Sequence, residues 1–223
     1  MKKGISTLII TAFTLIFLSG CFSINDSITI GPNGSGSVVT TVDMREMMKL
    51  LGMFLPDSLK EQMQFKNIIG GDHNRYSNIE GISNIKVESS QEYLYTVSFD
   101  FANSTALNKA LSLKAEGMSP GLMEMLQTQY KIGKHKMERN TTINTASIAE
   151  LKQYNGSETR ELFGRMNSPT YTITYHLPSK LKKISVKGNG AEVSKKEKEV
   201  SISYKLFDFL EANTETMKHC LKY

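Results

Sequence analysis

The side chains that most often perform catalysis or bind metals are few in this sequence and far apart. It contains two cysteines, Cys21 and Cys220, and four histidines, His73, His135, His176 and His219. No Cys-x-x-Cys or His-x-x-x-His pair occurs, the spacings typical of zinc sites. The sequence therefore predicts no catalytic residue, no metal site and no cofactor. The surroundings of Cys21 carry more information.

Cys21 follows a short segment with the layout of an export signal. Two lysines precede an apolar run from Gly4 to Leu18, and two small residues separate that run from the cysteine. The run is shorter than the roughly 20 apolar residues that a membrane-spanning helix needs. We therefore predict a cleaved signal peptide over residues 1–20 and a single mature domain over residues 21–223. An ordinary signal with an incidental cysteine, or an uncleaved anchor, is the alternative.

The tetrapeptide Leu18-Ser19-Gly20-Cys21 resembles the lipobox of bacterial lipoproteins. The resemblance implies that the Cys21 thiol receives a diacylglyceryl group and that a peptidase cuts before it. Acyl chains such as palmitate would then anchor the mature chain to a membrane of the cell envelope. Phe22 is not the Asp that retains lipoproteins at the inner membrane of enteric bacteria. The same resemblance therefore implies the outer membrane, facing the periplasm, in a Gram-negative host.

The charge of the mature chain is close to balanced. The whole sequence has 27 Lys and Arg against 22 Asp and Glu, and removing Lys2 and Lys3 leaves 25 against 22, an excess of +3. We expect no nucleic-acid partner, because no clustered basic motif with aromatic residues is present. Seven lysines between positions 180 and 198 alternate with glutamates, which favours a solvated hairpin over a patch for anionic lipids.

Hydrophobic periodicity predicts three groups of strands. They are an N-terminal hairpin around Asn33-Gly34, a central hairpin over 85–101, and a C-terminal antiparallel meander over 171–206. Helical spacing follows two capping residues, Asp43 and Ser104. We therefore predict an α+β fold, an antiparallel sheet with helices packed on one face.

Three further elements are predicted outside those groups. The segment from His135 to Asn144 indicates a polar strand, and that from Ser147 to Tyr154 a short helix. The chain after Leu210 indicates a short tail helix. None of them changes the predicted fold class.

Three segments together resemble a group of exported lipoproteins. They are Asn33-Gly34-Ser35-Gly36 before the helix near Asp43, then Tyr175-His176-Leu177-Pro178, then the strand Val200 to Leu206. In this order they are similar to the uncharacterised lipoproteins that include the LppM-like domain. The resemblance implies a membrane-anchored α+β domain, in a group with members thought to bind lipids. It supplies no catalytic residue.

Methionine is unusually frequent, with 12 residues, and many of them fall in predicted helical segments. The first interpretation is packing in the core, because apolar residues at helical spacing usually face inward. The alternative is a flexible apolar surface that accepts an acyl chain or a protein. Its candidate residues are Met44, Met47, Met48, Leu51, Met123 and Met125.

Three hypotheses for function follow. The leading one is a non-enzymatic domain, tethered through Cys21, that binds an envelope protein or an amphipathic, lipid-like ligand. The second is an envelope hydrolase whose site gathers scattered carboxylates around His73. The third is a purely structural role in envelope assembly.

Overall fold

The computed structural model describes five stretches of the chain, residues 23–54, 74–112, 126–143, 170–205 and 216–223. Within them the backbone forms eleven strands and three helices. The strands make two sheets, of seven and of four strands, and buried side chains of both sheets join in one core. The described part of the chain is therefore a β-sandwich.

The larger sheet, sheet 1, has a mixed strand order. Across the sheet the strands are β3 (Ile82–Gln91), β4 (Leu94–Phe101), β2 (Gly36–Asp43), β1 (Ser23–Ile30), β7 (Thr170–His176), β10 (Glu199–Lys205) and β9 (Glu192–Lys195). Neighbouring strands are antiparallel except β1 and β7, which run parallel. A parallel pair needs a long crossover connection. Here that connection includes two strands of the other sheet.

The smaller sheet, sheet 2, is antiparallel throughout. Its order is β5 (Leu126–Gly133), β6 (Lys136–Ile143), β11 (Thr216–Lys222) and β8 (Lys183–Lys187). The strands β5 and β6 form a hairpin, whereas β8 and β11 come from the C-terminal third. Strand β11 lies between β6 and β8, so it completes sheet 2.

Alternation along each strand explains the shared core. In β7 the side chains of Tyr171, Ile173 and Tyr175 are at most 3% exposed, and the threonines between them are half-buried. The inner face of β11 buries Met217, His219 and Leu221 in the same way. Because side chains in a strand point to alternate faces, each sheet directs one set inward and leaves the other set outside.

The β1–β2 hairpin turns where the sequence predicts it. Gly34 has φ +85°, in the left-handed region that favours glycine. The Oδ1 atom of Asn33 accepts hydrogen bonds from the Ser35 backbone N–H and hydroxyl, at 3.2 and 2.7 Å. The central hairpin is also present, formed by β3 and β4 with Tyr93 at φ +63° in its turn.

Three helices accompany the strands: α1 (Arg45–Phe54), α2 (Asn74–Ser77) and α3 (Ser104–Leu111). The carboxylate of Asp43 accepts the Arg45 backbone N–H at 3.1 Å, which confirms the helix start predicted there. The N-cap of α3 is Asn103, one residue before the predicted Ser104. No helix in the described stretches is long and apolar enough to cross a membrane.

Helix α3 protects an edge of sheet 2 through one side-chain amide. The Tyr130 backbone N–H donates to Asn108 Oδ1 at 2.7 Å, and Asn108 Nδ2 donates to the Tyr130 carbonyl at 2.9 Å. Strand β5 lies at the sheet edge, where backbone groups lack a neighbouring strand. The Asn108 amide therefore takes the place of a strand at that point.

The predicted α+β class, one antiparallel sheet with helices on one face, is wrong. Strand layers face each other instead, and the predicted C-terminal meander is divided between them, since β7, β10 and β9 lie in sheet 1 and β8 in sheet 2. The predicted tail helix is likewise wrong over residues 216–222, which form β11. Alternation identifies a strand but not its partner. The polar strand predicted from position 135 is confirmed as β6.

Two predictions lie outside the described residues. The signal peptide over residues 1–20 and the short helix from Ser147 to Tyr154 both fall there.

Gly36 provides a test of the close approach between β1 and β2. A Cβ at this position would overlap the Thr29 carbonyl oxygen and lie 2.7 Å from Phe101 Cζ. We expect Gly36→Ala to lower the free energy of unfolding by about 2–3 kcal/mol, because the hairpin must shift. Urea denaturation of the chain from residue 21 measures this.

The matched control is Gly133→Ala, also in a strand. Its Cβ would meet the Lys136 carbonyl oxygen at an ordinary 3.7 Å. We expect a change below about 1 kcal/mol. Equal effects of the two substitutions would contradict the packing at Gly36.

Candidate functional site

The methionines of the predicted apolar surface lie mainly against the core where they are described. Met44 and Met48 are 4% and 6% exposed, and Met47 is half-buried against the same cluster. Leu51 belongs to α1, and its side chain is outside the description, as are Met123 and Met125. The apolar surface therefore stays a prediction.

The other residues proposed for chemistry are not brought together by the described structure. Cys21 and His73 lie outside the described residues. Nowhere in the five described stretches do three His, Cys, Asp or Glu side chains gather as metal ligands. The hypothesis of a hydrolase around His73 receives no supporting observation from these stretches.

A line of polar side chains does cross the core between the sheets. Arg139, on the inner face of β6, is fully buried, and its Nη2 donates to the Tyr171 hydroxyl of β7 at 2.8 Å. Tyr171 in turn donates to Asp26 Oδ2 of β1 at 2.6 Å. The other oxygen of Asp26 accepts the Thr40 hydroxyl at 2.7 Å. One tyrosine thus connects a buried cation with a carboxylate.

Further contacts hold the guanidinium of Arg139 in place. Its Nε donates to the Tyr130 hydroxyl at 3.1 Å, and its Cζ lies 5.4 Å from the centre of the Tyr171 ring. Burial raises the pKa of Tyr130 to about 12, partly offset by the Arg139 charge, so the hydroxyl keeps its proton. The Nη1 atom of Arg139 has no hydrogen-bond partner among the described residues.

The polar line continues through a side-chain hydrogen bond between Tyr130 and Tyr175 to His219 on β11. Its Nδ1 lies 2.7 Å from the Tyr175 hydroxyl and its Nε2 lies 2.6 Å from the Tyr204 hydroxyl. Burial, followed by the charge of Arg139, lowers the pKa of His219 to about 2, so the ring is neutral. A neutral imidazole has one donor and one acceptor nitrogen. One tyrosine therefore donates to the ring and the other accepts from it.

We call Asp26, Tyr171, Arg139, Tyr130, Tyr175, His219 and Tyr204 the buried polar cluster. Apart from half-buried Asp26, each member is at most 3% exposed. Its hydrogen bonds join strands of both sheets, and its members bond to one another or to neighbouring side chains of the described core. The arrangement can fix the relative position of the sheets, which is a structural role.

The outer face of sheet 2, in contrast, presents charged side chains that are exposed. Six exposed lysines occupy outward positions on its four strands, and we call this surface the lysine face: Lys131, Lys136, Lys183, Lys187, Lys218 and Lys222. One acidic residue, Glu138, lies among the described outward positions of these strands. Its Oε1 atom is 2.6 Å from the Nζ atom of Lys136. Hydrogen bonding and charge from Lys136 lower the pKa of Glu138. The face therefore carries an excess of +5, six minus one.

Strand register places like charges side by side on the lysine face. Lys222 of β11 is opposite Lys136 of β6 on one side and Lys183 of β8 on the other. Lys218 is opposite Lys187. Like charges directly opposite each other destabilise a sheet. Stability therefore does not explain this arrangement, and an anionic partner would relieve the repulsion.

A shallow depression lies between these rows of lysines. It has a volume of about 320 Å³, and it is lined by Lys183, Lys187, Lys218 and Lys222, by Cys220 and Ser185, and by Glu138. Cys220 is a free, half-buried thiol, rather than the residue of a frayed terminus. Two lysines four residues apart in one strand stand roughly 13 Å apart, which is wide enough for a phosphate-sized group between them.

Comparison with known proteins adds little. Neither the protein-family models nor the curated proteins give a match. Among solved structures, the chain is similar to the folded domain of the Mycobacterium tuberculosis protein LppM, at 12% identity and a TM-score of 0.46, over 93% of each chain. That similarity is too low to transfer a fold or a function. LppM belongs to the group of lipoproteins that the sequence resembles. The comparison does not test the lipobox.

Sequence reasoning did not find the buried polar cluster or the lysine face. Arg139 lies in a strand with polar or charged residues on both faces, so hydrophobic periodicity does not mark it as buried. Lys218 and Lys222 fell in a predicted helix. The signal that could have found these two lysines is the alternation of Met217, His219 and Leu221 with Lys218, Cys220 and Lys222.

The buried state of His219 predicts a pH dependence of stability. The unfolded chain binds a proton at His219 below about pH 6.5, whereas the folded chain does not until about pH 2. The contribution of His219 to the free energy of unfolding is therefore fully present above about pH 6.5 and decreases as the pH falls below it. We expect a loss of about 2 kcal/mol between pH 7 and pH 5. Denaturation curves at each pH measure it.

The variant His219→Gln should remove that slope, whatever its stability at pH 7. His176→Gln is the matched control, because His176 lies on the outer face of sheet 1, where its side chain is 42% exposed. Identical slopes for His219→Gln and the unsubstituted chain would contradict a neutral, buried His219.

Proposed function

We propose that this chain is a lipid-anchored protein of the bacterial cell envelope. The supporting observation is the tetrapeptide Leu18-Ser19-Gly20-Cys21, which stands directly before the folded domain. Strand β1 begins at Ser23, two residues after Cys21. A residue spans at most about 3.6 Å, so an acylated Cys21 would hold the sandwich against the membrane surface rather than far from it.

The role we propose for the sandwich is non-enzymatic binding, of an envelope protein or of an amphipathic, lipid-like ligand. Two observations support it. The polar groups best suited to chemistry in the described structure, such as Arg139 and His219, are buried and hydrogen-bonded to tyrosine hydroxyls of the core. The exposed charge is concentrated on the lysine face. In a Gram-negative host, we propose an outer-membrane location facing the periplasm.

Acylation of Cys21 can be measured directly in the native host. Cells expressing the chain are fed an alkyne palmitate analogue, and the N-terminal peptide of the purified protein is weighed. We expect a mature chain that begins at Cys21 and carries acyl groups, in the membrane fraction. Cys21→Ala should abolish the label and leave the signal uncleaved or cleaved elsewhere.

The matched control is Cys220→Ala, because Cys220 is the other cysteine of the chain. It should keep the full label. A mature protein that begins at another residue, or an unmodified Cys21 in the aqueous fraction, would overturn the proposed function.

A further inference from the structure

The lysine face has a regular layout that narrows the choice of partner. Strand pairing arranges its outward side chains in three rows across the sheet. One row contains Lys136, Lys222 and Lys183, and a second contains Lys218 and Lys187. Between them runs a third row, Lys131, Glu138, Cys220 and Ser185. The charges of Lys131 and Glu138 offset each other in this middle row, so the excess positive charge lies in the two rows on either side of it.

A broad cationic surface is complementary to a plane of anionic headgroups. A single phosphate in the shallow depression, which we call the trough, would lie among four lysines and beside the Glu138 carboxylate. Lys131 and Lys136 are not among the residues that line the trough, and they would have no role with an isolated anion. In contact with a charged surface, all six lysines contribute. The distribution of charge thus favours a surface over a small soluble ligand.

We propose that the lysine face binds the anionic phospholipid headgroups of the membrane beside which the protein is tethered. This inference rests on the proposed function and names its ligand. One headgroup phosphate lies in the trough over Cys220 and Ser185, and neighbouring headgroups meet Lys131 and Lys136. Acyl chains and a basic surface together give firmer attachment than either alone. Binding also orients the sandwich with sheet 2 toward the lipid.

The test uses vesicles and a chain that cannot be acylated. The chain from residue 21 with Cys21→Ser is mixed with vesicles of equal phosphatidylglycerol and phosphatidylcholine, and bound protein is measured by sedimentation. We expect binding to these vesicles, none to phosphatidylcholine alone, and loss of binding at ~0.5 M salt, where screening is strong. Binding to both vesicle types alike, or to neither, would overturn the proposal.

Charge variants locate the contact. We expect Lys187→Gln with Lys218→Gln to weaken vesicle binding about 30-fold, from the contribution of each lysine near an anionic surface. The matched control is Lys86→Gln with Lys205→Gln, two exposed lysines on strands of sheet 1. It removes the same charge and should have little effect. Equal losses from both pairs would show a non-specific charge effect and overturn the assignment to this face.

Cys220 gives an independent readout within the trough. It is the sole thiol of the Cys21→Ser chain, so a maleimide reports on this position alone. We expect anionic vesicles to slow its labelling, whereas phosphatidylcholine vesicles and inorganic phosphate at the same total phosphate do not. Protection by inorganic phosphate alone would point to a small-anion site instead. Unprotected Cys220 on bound protein would overturn the orientation.

The two proposals fail separately. If Cys21 is acylated in the host but the Cys21→Ser chain ignores anionic vesicles, the envelope role stands and the lipid-binding face does not. If the vesicles bind but Cys21 is never acylated, the proposed anchoring is wrong.

Discussion

The hydrogen-bonded path from Arg139 through Tyr171 to Asp26 is the interaction on which the arrangement of the two sheets depends. A fully buried guanidinium is costly unless its charge and donors are satisfied. Here a strand of sheet 2 supplies the cation, and two parallel strands of sheet 1 supply the hydroxyl and the carboxylate. In the observed register Tyr171 is opposite Ile24, and its hydroxyl reaches the carboxylate of Asp26, two residues further along β1. The polar path therefore links the β1–β7 pair of sheet 1 to sheet 2 through buried hydrogen bonds.

The outer and inner faces of sheet 2 have opposite properties because of this core. Polar groups on the inner face, Arg139 and His219, are bonded within the protein, and the apolar residues beside them complete the contact with sheet 1. The outer face makes no contact with sheet 1, and its lysines lie directly opposite one another on neighbouring strands. Selection for stability alone would favour mixed charges at those positions. A rigid sheet that tolerates repulsion on one face is suited to presenting that charge to a partner.

Local structure could be predicted from the sequence, and long-range pairing could not. The turn at Asn33-Gly34 and the helix after Asp43 follow from backbone preferences and capping, which act over a few residues. Assignment of Lys183–Lys187 to sheet 2 depends on β11, a strand distant in sequence. The lysine face was missed for the same reason, since its rows exist only after β6, β11 and β8 pair. Arg139 gave no signal, because burial of a cation depends on partners supplied by other strands.

The coupling between Arg139 and Tyr171 tests the central claim most directly. Free energies of unfolding are measured by denaturant titration for the unsubstituted chain, Arg139→Met, Tyr171→Phe and the double variant. If the charged hydrogen bond joins the sheets as described, the cycle gives a coupling free energy of about 2 kcal/mol. The double variant then loses less free energy of unfolding than the two single variants lose together. Effects that add to within about 0.5 kcal/mol would contradict the account.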